Sequence, residues 1–352
     1  MANIAVIQTA FPGDVILCTP VFQSLAEAGH AVTAVVRPQA EPLVRHNLYI
    51  DKLICYDKSK GLRSFINAVG ELKKAECDAA IIVQRYLKSA LLPLYAGIGK
   101  RIGFDIAEAR FLYTTEIHYD KDSHEVERCL ALCDGFSKTR GFAPRIFIDD
   151  ETKAKSKEVL LSNKIDPANF IVIAPGSIWP TKRWTGFEQL ITLIKAKLDC
   201  GIVMLGSADD YLLCEHLNRD KLAVNLAGKT DLLLSSAIIK MAKLAVANDS
   251  APAHIAAAVS TPIVAIFGPT VPRFGFAPYS EKSIAKVSDF SLRSESDLLI
   301  SENSIVVENK YLYCRPCNLH GSKKCPEKHF RCMKEITPEQ VWKACQRLLE
   351  ES

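Results

Sequence analysis

The sequence predicts an α/β protein of two successive domains, each a mostly parallel sheet covered by helices. Three observations lead there. The strand candidates are short, near-continuous apolar runs, the pattern of strands buried on both faces. Amphipathic stretches with helical spacing separate them. The strand–helix alternation also starts over once, beyond a polar, charged interval at residues 149–164. With 352 residues, 48% apolar and 24% charged, each half can bury an ordinary core.

In chain order, Asn3-Ile-Ala-Val-Ile-Gln8 is the first strand. A helical stretch follows and stops at Gly29, a residue suited to ending a helix. Ala31–Val36 and Ala79–Val83 are further strands. In the second half, Phe170–Ala174 is a strand. The next helix carries Phe187, Leu190, Ile191, Ile194 and Leu198 on one face. Gly201–Leu205, Leu244–Ala247 and Pro262–Phe267 complete the strand candidates. Pro338–Leu349 reads as an amphipathic helix behind a Thr337 cap. The expected division is 1–155, 156–336 and a terminal helix at 337–352.

Bulk properties narrow the function. A net charge of +4 is too small to argue for nucleic acid. The first twenty residues lack a basic leader, and Pro12, Asp14 and Pro20 interrupt them, so no export signal is expected. No run of 18 apolar residues occurs. The twelve cysteines are therefore expected as thiols in a reducing, cytoplasmic setting.

In open parallel sheets, ligands bind beyond the carboxyl ends of strands, and three loops there carry chemistry. The first, Gln8–Ile16, places Asp14 behind the Pro12-Gly13 turn, where a carboxylate can cap a helix or act as a general base. The second, Ala174–Trp184, offers Ser177, Thr181 and Lys182 to an anion, or is an ordinary loop whose tryptophans pack on the next helix. The third runs from Val246 through Asn248-Asp249-Ser250 directly into a small-residue helix. Ser250 is a natural N-cap, and Pro252 is tolerated in the first turn. The free N–H groups and positive end of that helix suit a diphosphate, which Ala251 and Ala253 allow close. Asp249 would repel it and should turn toward backbone N–H groups or a sugar hydroxyl. His254 reads as either a packed histidine or part of the site.

Taken together, Gly13-Asp14, Pro175-Gly176-Ser177, Lys182-Arg183-Trp184, Asn248–His254 and Pro262–Thr270 resemble the ADP-heptose:lipopolysaccharide heptosyltransferases, glycosyltransferase family 9. The resemblance implies GT-B architecture: two Rossmann-like domains facing a cleft, and a C-terminal helix crossing back to the first domain. It implies Asp14 as the catalytic residue, Lys182 as the phosphate-binding lysine, and a diphosphate loop at Asp249, Ser250, Ala251 and His254. Asp210 would hold the ribose, with Asp209 competing for that role. Where the family often has Thr-Gly, this chain has Ser250-Ala251, whose backbone N–H survives. The implied reaction moves heptose from ADP-heptose to the lipopolysaccharide inner core with inversion and no metal. Asp14, ionised at an ordinary carboxylate pKa, would take the acceptor proton. Lys182 and the helix N-terminus would oppose the charge gathering on ADP.

Asp120-Lys-Asp122 has the D-x-D form of a metal-binding motif, but it follows no phosphate-like turn and reads as capping or solvated charge. Cys314, Cys317, Cys325 and Cys332 leave three readings open: a structural zinc site, with His320 and His329 as further possible ligands, free thiols in a loop, or disulfides formed after lysis. Similar cysteine-bearing tails point to the heptosyltransferase II branch. Lys310–Lys334 contains seven Lys/Arg against one Glu, and Arg85, Lys88, Lys100, Arg101 and Arg110 form a second basic set. Both read as solvated charge, or as attraction to a phosphorylated acceptor and peripheral contact with the inner membrane. Rival functions are a same-fold nucleotide-sugar epimerase or hydrolase and a non-catalytic nucleotide-binding protein. A nicotinamide oxidoreductase is disfavoured, because G-x-G-x-x-G is missing.

Overall fold

The computed structural model describes residues 1–280, 298–301 and 303–350. The chain forms two compact units, Met1–Phe147 and Ile148–Ser352.

The first unit is a six-stranded sheet of β1 (Asn3–Gln8), β2 (Ala31–Val36), β3 (Lys52–Cys55), β4 (Ala79–Ile82), β5 (Lys100–Phe104) and β6 (Thr115–Ile117). Its helices are α1 (Pro12–Glu27), α2 (Glu41–Val44), α3 (Gly61–Lys74), α4 (Leu87–Tyr95) and α5 (Glu125–Ala131). The spatial order is β3-β2-β1-β4-β5-β6, with every pairing parallel. Strand order therefore reverses between β1 and β4, where a crevice opens at the carboxyl edge of an open α/β sheet. Ile4, Val6 and Val36 pack with Phe22 and Leu25 of α1 on one face, while Ala5, Ile7 and Ile82 pack with Leu72 and Leu92 on the other. That two-sided burial is why these strands read as unbroken apolar runs. Helix α1 starts with Pro12 in its first turn and ends before Gly29, whose φ of 83° only glycine adopts without strain.

The second unit contains α6 (Asp150–Ser162), β7 (Phe170–Ala174), α7 (Phe187–Lys197), β8 (Gly201–Met204), α8 (Tyr211–Leu217), β9 (Val224–Asn225) and α9 (Leu232–Met241). It continues with β10 (Leu244–Asn248), α10 (Ala251–Ala258), β11 (Ile263–Phe267), β12 (Leu298–Ser301), β13 (Ser304–Glu308), α11 (Arg331–Lys334) and α12 (Pro338–Glu350). The sheet order is β12-β13-β11-β10-β7-β8-β9, parallel except for the β12–β13 pair. Apart from the added β12, the first unit's order is repeated, and the reversal now falls between β7 and β10.

The polar interval after Asp149 forms α6, which packs on α9 and buries Ser156 and Leu160. The two units divide at 147/148, within about ten residues of the expected boundary. One expectation needs revision. The family resemblance implies that helix α12 crosses back to pack on the first domain. Its apolar face (Val341, Trp342, Ala344, Cys345 and Leu348) belongs instead to the second unit's core, against α7, β10, β11 and β13. Thr337 and Gln340 close a reciprocal cap at its start.

Candidate functional site

Each sheet's reversal point carries one half of the candidate chemistry. In the first unit, Asp14 follows β1 as the third residue of α1. Its Oδ2 accepts the Phe11 backbone N–H at 3.1 Å, so the carboxylate does cap the helix. The residue keeps some surface, yet its carboxyl is enclosed closely enough to titrate far from the ordinary value. Burial, then the charge of Glu125, raise its pKa to about 6, while the Phe11 N–H and Arg85 oppose the rise. The expectation of an unperturbed aspartate is corrected: burial against α5 makes Asp14 a stronger base than a solvated carboxylate.

Glu125 is locked beside it. Its Oε2 accepts from Tyr119 Oη at 2.8 Å and pairs with Arg128 at 2.9 Å, and both charged side chains are nearly sealed from solvent. The Arg85 guanidinium lies over the Tyr119 ring, 4.8 Å from its centroid. Asp120 accepts from Asp122 N and Ser123 Oγ, forming the turn that leads into α5. Of the basic set, Lys100 stacks on Phe136 and Arg101 donates to the carbonyls of Ile98, Gly99 and Leu112, so both hold structure. Arg37, following β2, and Lys58, following β3, join Lys88 instead. Burial and these two neighbouring cations push Lys58 down to about 8. The Nε of Arg37 is buried without a hydrogen-bond partner.

In the second unit, the loops after β7 and β10 lie side by side because those strands pair directly. Lys182 and Asp249 meet across them, Nζ to Oδ2 at 2.6 Å, both largely buried. Thr270, after β11, donates to the same Oδ2 at 2.6 Å. Asp249 thus turns to a lysine and a hydroxyl of its own chain, where backbone N–H groups or a sugar hydroxyl had been expected. Asn248, the last residue of β10, is fully buried and braces the loop after β7: its Oδ1 accepts from Trp184 N at 3.0 Å, and its Nδ2 donates to Pro175 O at 2.8 Å. His254 is packed within α10, but its Nδ1 has no partner. Burial, with Lys182 adding and Asp249 opposing, pushes its pKa down to about 4, so the ring is neutral at pH 7.

Other candidates sit differently from expectation. Ser250 occupies the N-cap position of α10, but its side chain makes no cap bond. It donates instead to Asn248 O at 3.3 Å. Ala251 follows as the first helical residue and Pro252 as the second. Thr181 points its hydroxyl into the protein, exchanging 2.8 Å hydrogen bonds with Ser322 O and Ser322 N. In this structure its hydroxyl braces the segment around Ser322. Ser177 Oγ accepts from Trp179 N within its own turn. Asp210 Oδ2 accepts from Ser207 N and Ser207 Oγ, with Arg183 3.7 Å from the other oxygen. Gly176 has no side chain because Asp210 occupies the space a Cβ would need. Trp184 is buried against Phe187, as the packing alternative had it. Among the described residues, no group of three or more Cys, His, Asp or Glu side chains is arranged to hold a metal ion. Cys332 is buried and its thiol is pushed up to about 12.

Sequence reasoning missed Asn248 as a brace, Thr270 as the partner of Asp249, and Glu125 as the neighbour of Asp14. Only strand pairing, and the packing of α5 on α1, bring them into place.

Residues 67–298 match the family described as glycosyltransferase family 9 (heptosyltransferase). The chain is 29% identical over 311 residues to lipopolysaccharide heptosyltransferase 2 of Escherichia coli K12, covering 80% of this chain and 86% of that one. A glycosyl transferase family 9 crystal structure from Veillonella parvula superposes with a TM-score of 0.82 at 22% identity, covering 100% of this chain and 98% of that one. The structure of E. coli ADP-heptose LPS heptosyltransferase II superposes with a TM-score of 0.77 at 23% identity, covering 99% and 100%. The fold is that of these GT-B structures.

Proposed function

Because this chain belongs to glycosyltransferase family 9 and is a glycosyltransferase, we propose that it transfers heptose from ADP-heptose to a hydroxyl of the lipopolysaccharide inner core, by inverting displacement and without a metal. The observation that carries this reading is the buried Lys182–Asp249 pair at the β7/β10 reversal, beside the start of α10. An ammonium has three donors, and the pair leaves others for a diphosphate. Asp249 cancels much of the lysine's charge and fixes its position. The net attraction then comes from the remaining donors together with the positive end of α10. Both act where ADP gains charge as the glycosidic bond breaks. Neutral His254 can accept or donate one hydrogen bond there without adding charge. Asp210 is the acidic residue for the ribose, once its carboxylate exchanges Ser207 for a sugar hydroxyl.

On the first unit, Asp14 takes the proton of the attacking hydroxyl. A base near pKa 6 is better matched to neutral pH than an ordinary aspartate. The neighbouring cations Arg37, Lys58 and Lys88 suit the anionic groups of a phosphorylated acceptor. Exposed Leu62, Ile66, Leu87, Tyr95 and Phe111, with Arg63 and Lys88, suit peripheral contact with an anionic membrane at its cytoplasmic face. The heptosyltransferase II branch fits the E. coli heptosyltransferase 2 relative.

The test is nucleotide release across ADP-heptose, ADP-glucose, UDP-sugars and GDP-sugars, with and without heptose-deficient inner-core acceptor. Release from ADP-heptose alone among the donors, and only with acceptor, is expected. Acceptor-independent release would replace transfer by hydrolysis, and a preference for UDP-sugars would remove the donor assignment.

A further inference from the structure

The donor half-site contains a buried arginine whose hydrogen bonds all go to one turn and its support. Arg315 is almost fully enclosed and pairs with Glu308 of β13 at 2.8 Å. Its guanidinium also donates to the carbonyls of Phe267, Gly268, Thr270 and Asn309, reaching Thr270 O at 2.7 Å. A guanidinium has five donors in a rigid fork. Here that fork gathers the inward carbonyls of the turn after β11. The same turn presents Thr270 Oγ1 to Asp249, which holds Lys182.

The segment that begins at Arg315 then reaches the other loop. Cys317 N donates to Pro269 O at 2.9 Å, a second tie to the β11 turn. Further on, Ser322 exchanges hydrogen bonds with Thr181, next to Lys182 in the chain. Gly321 has a φ of 93°. A Cβ there would lie 3.0 Å from Trp179 Cβ and 3.1 Å from Lys182 Cγ. One short stretch therefore fastens both loops between which the Lys182–Asp249 pair forms.

We propose that residues 315–322 form a strap that sets the position of Lys182, with Arg315 as a positioning residue acting through Thr270 and Asp249, and Gly321 giving clearance for the lysine stem. This rests on the reading of Lys182 as the phosphate-binding lysine. Arg315 touches neither donor nor acceptor in this scheme. Removing its fork lets the β11 turn relax and the ammonium drift from the diphosphate. The cost falls on nucleotide affinity more than on the chemical step.

The experiment is a double-mutant cycle on the full-length protein, read by calorimetric ADP affinity. Lys182→Ala, Thr270→Val, Arg315→Lys and the two pairs with Lys182→Ala are compared, with circular dichroism as the folding check. Lys182→Ala is expected to weaken ADP binding about tenfold or more. Thr270→Val and Arg315→Lys should each weaken it severalfold in the parent, and add little in the Lys182→Ala background. Thr270→Ser should restore affinity. Equal losses in both backgrounds would overturn the strap, since the arginine would then act only on general stability. If Lys182→Ala binds ADP normally, the phosphate reading itself falls, and the strap with it. If Arg315→Lys fails to fold, the Thr270 variants carry the decision, because they change one hydroxyl beside Asp249.

Discussion

Asp14 should impose an acid limb near pH 6 on turnover. The perturbation is pH itself. With its pKa at about 6, Asp14 is about nine-tenths ionised at pH 7 and about one-tenth ionised at pH 5. An ordinary aspartate would still be more than about nine-tenths ionised at pH 5. Acceptor-dependent ADP release at saturating donor should therefore be level above pH 7 and fall about tenfold per unit below pH 6. Glu125→Gln removes the second cause of the upward shift and should move the limb to lower pH, though not back to the ordinary value, because burial is the larger cause. Stability gives an independent reading. A carboxyl whose folded pKa exceeds its unfolded value favours the fold at low pH and loses that advantage as pH rises from 3.8 to about 6. The roughly two-unit shift corresponds to about 3 kcal/mol of strain at pH 7. Asp14→Asn keeps a side-chain oxygen for the Phe11 cap, so it should raise the melting temperature at pH 7.5, and the gain should vanish near pH 4. Turnover independent of pH down to 5, together with no pH-dependent gain for Asp14→Asn, would refute both the burial argument and the assignment of the base.

Three further outcomes are expected. Lys182→Ala leaves the nearly buried Asp249 with Thr270 as its remaining side-chain partner, so the second unit should lose about 3 kcal/mol of stability in denaturant unfolding; an unchanged midpoint would contradict the pairing. His254 stays neutral when folded, so between pH 6.5 and about 4 the unfolded chain binds the extra proton and stability drops as pH falls. His254→Leu should flatten that slope in thermal melts, and a slope retained in the variant would place its origin elsewhere. Gly176→Ala thrusts a methyl into the space of the Asp210 carboxylate, so ADP affinity should fall severalfold if Asp210 holds the ribose; equal affinity would remove that role.

The legible part of the fold was the part buried on both faces. β1, β2, β4, β7, β8, β10 and β11 announce themselves as apolar runs, because helices cover them front and back. Peripheral strands do not. β5 opens with Lys100-Arg101, β6 is Thr-Glu-Ile with two exposed positions, and β9 has two residues. None presents enough apolar surface for a periodic signal. Within the site, Asp14, Lys182 and Asp249 lie on the segments that follow strands, where topology puts ligand chemistry, and position together with the family resemblance singled them out. Thr270 and Arg315 could not be assigned their parts that way. Their places depend on β11 lying between β10 and β13, a fact of pairing order that local sequence does not carry. The hydrogen bond of Thr181 to Ser322 was hidden for the same reason, because its partner lies 141 positions downstream.

The repeated strand order has a consequence for how such an enzyme can change. If Asp14 removes the proton and Lys182 supports the leaving group, as proposed, the two tasks stand at equivalent corners of two sheets with separate cores. Substitutions around Arg37, Lys58 and Lys88 should then retune which sugar is accepted without disturbing the grip on the nucleotide. A chimera joining residues 1–147 of a relative with another acceptor to residues 148–352 of this chain should inherit the relative's acceptor choice and keep this chain's nucleotide preference.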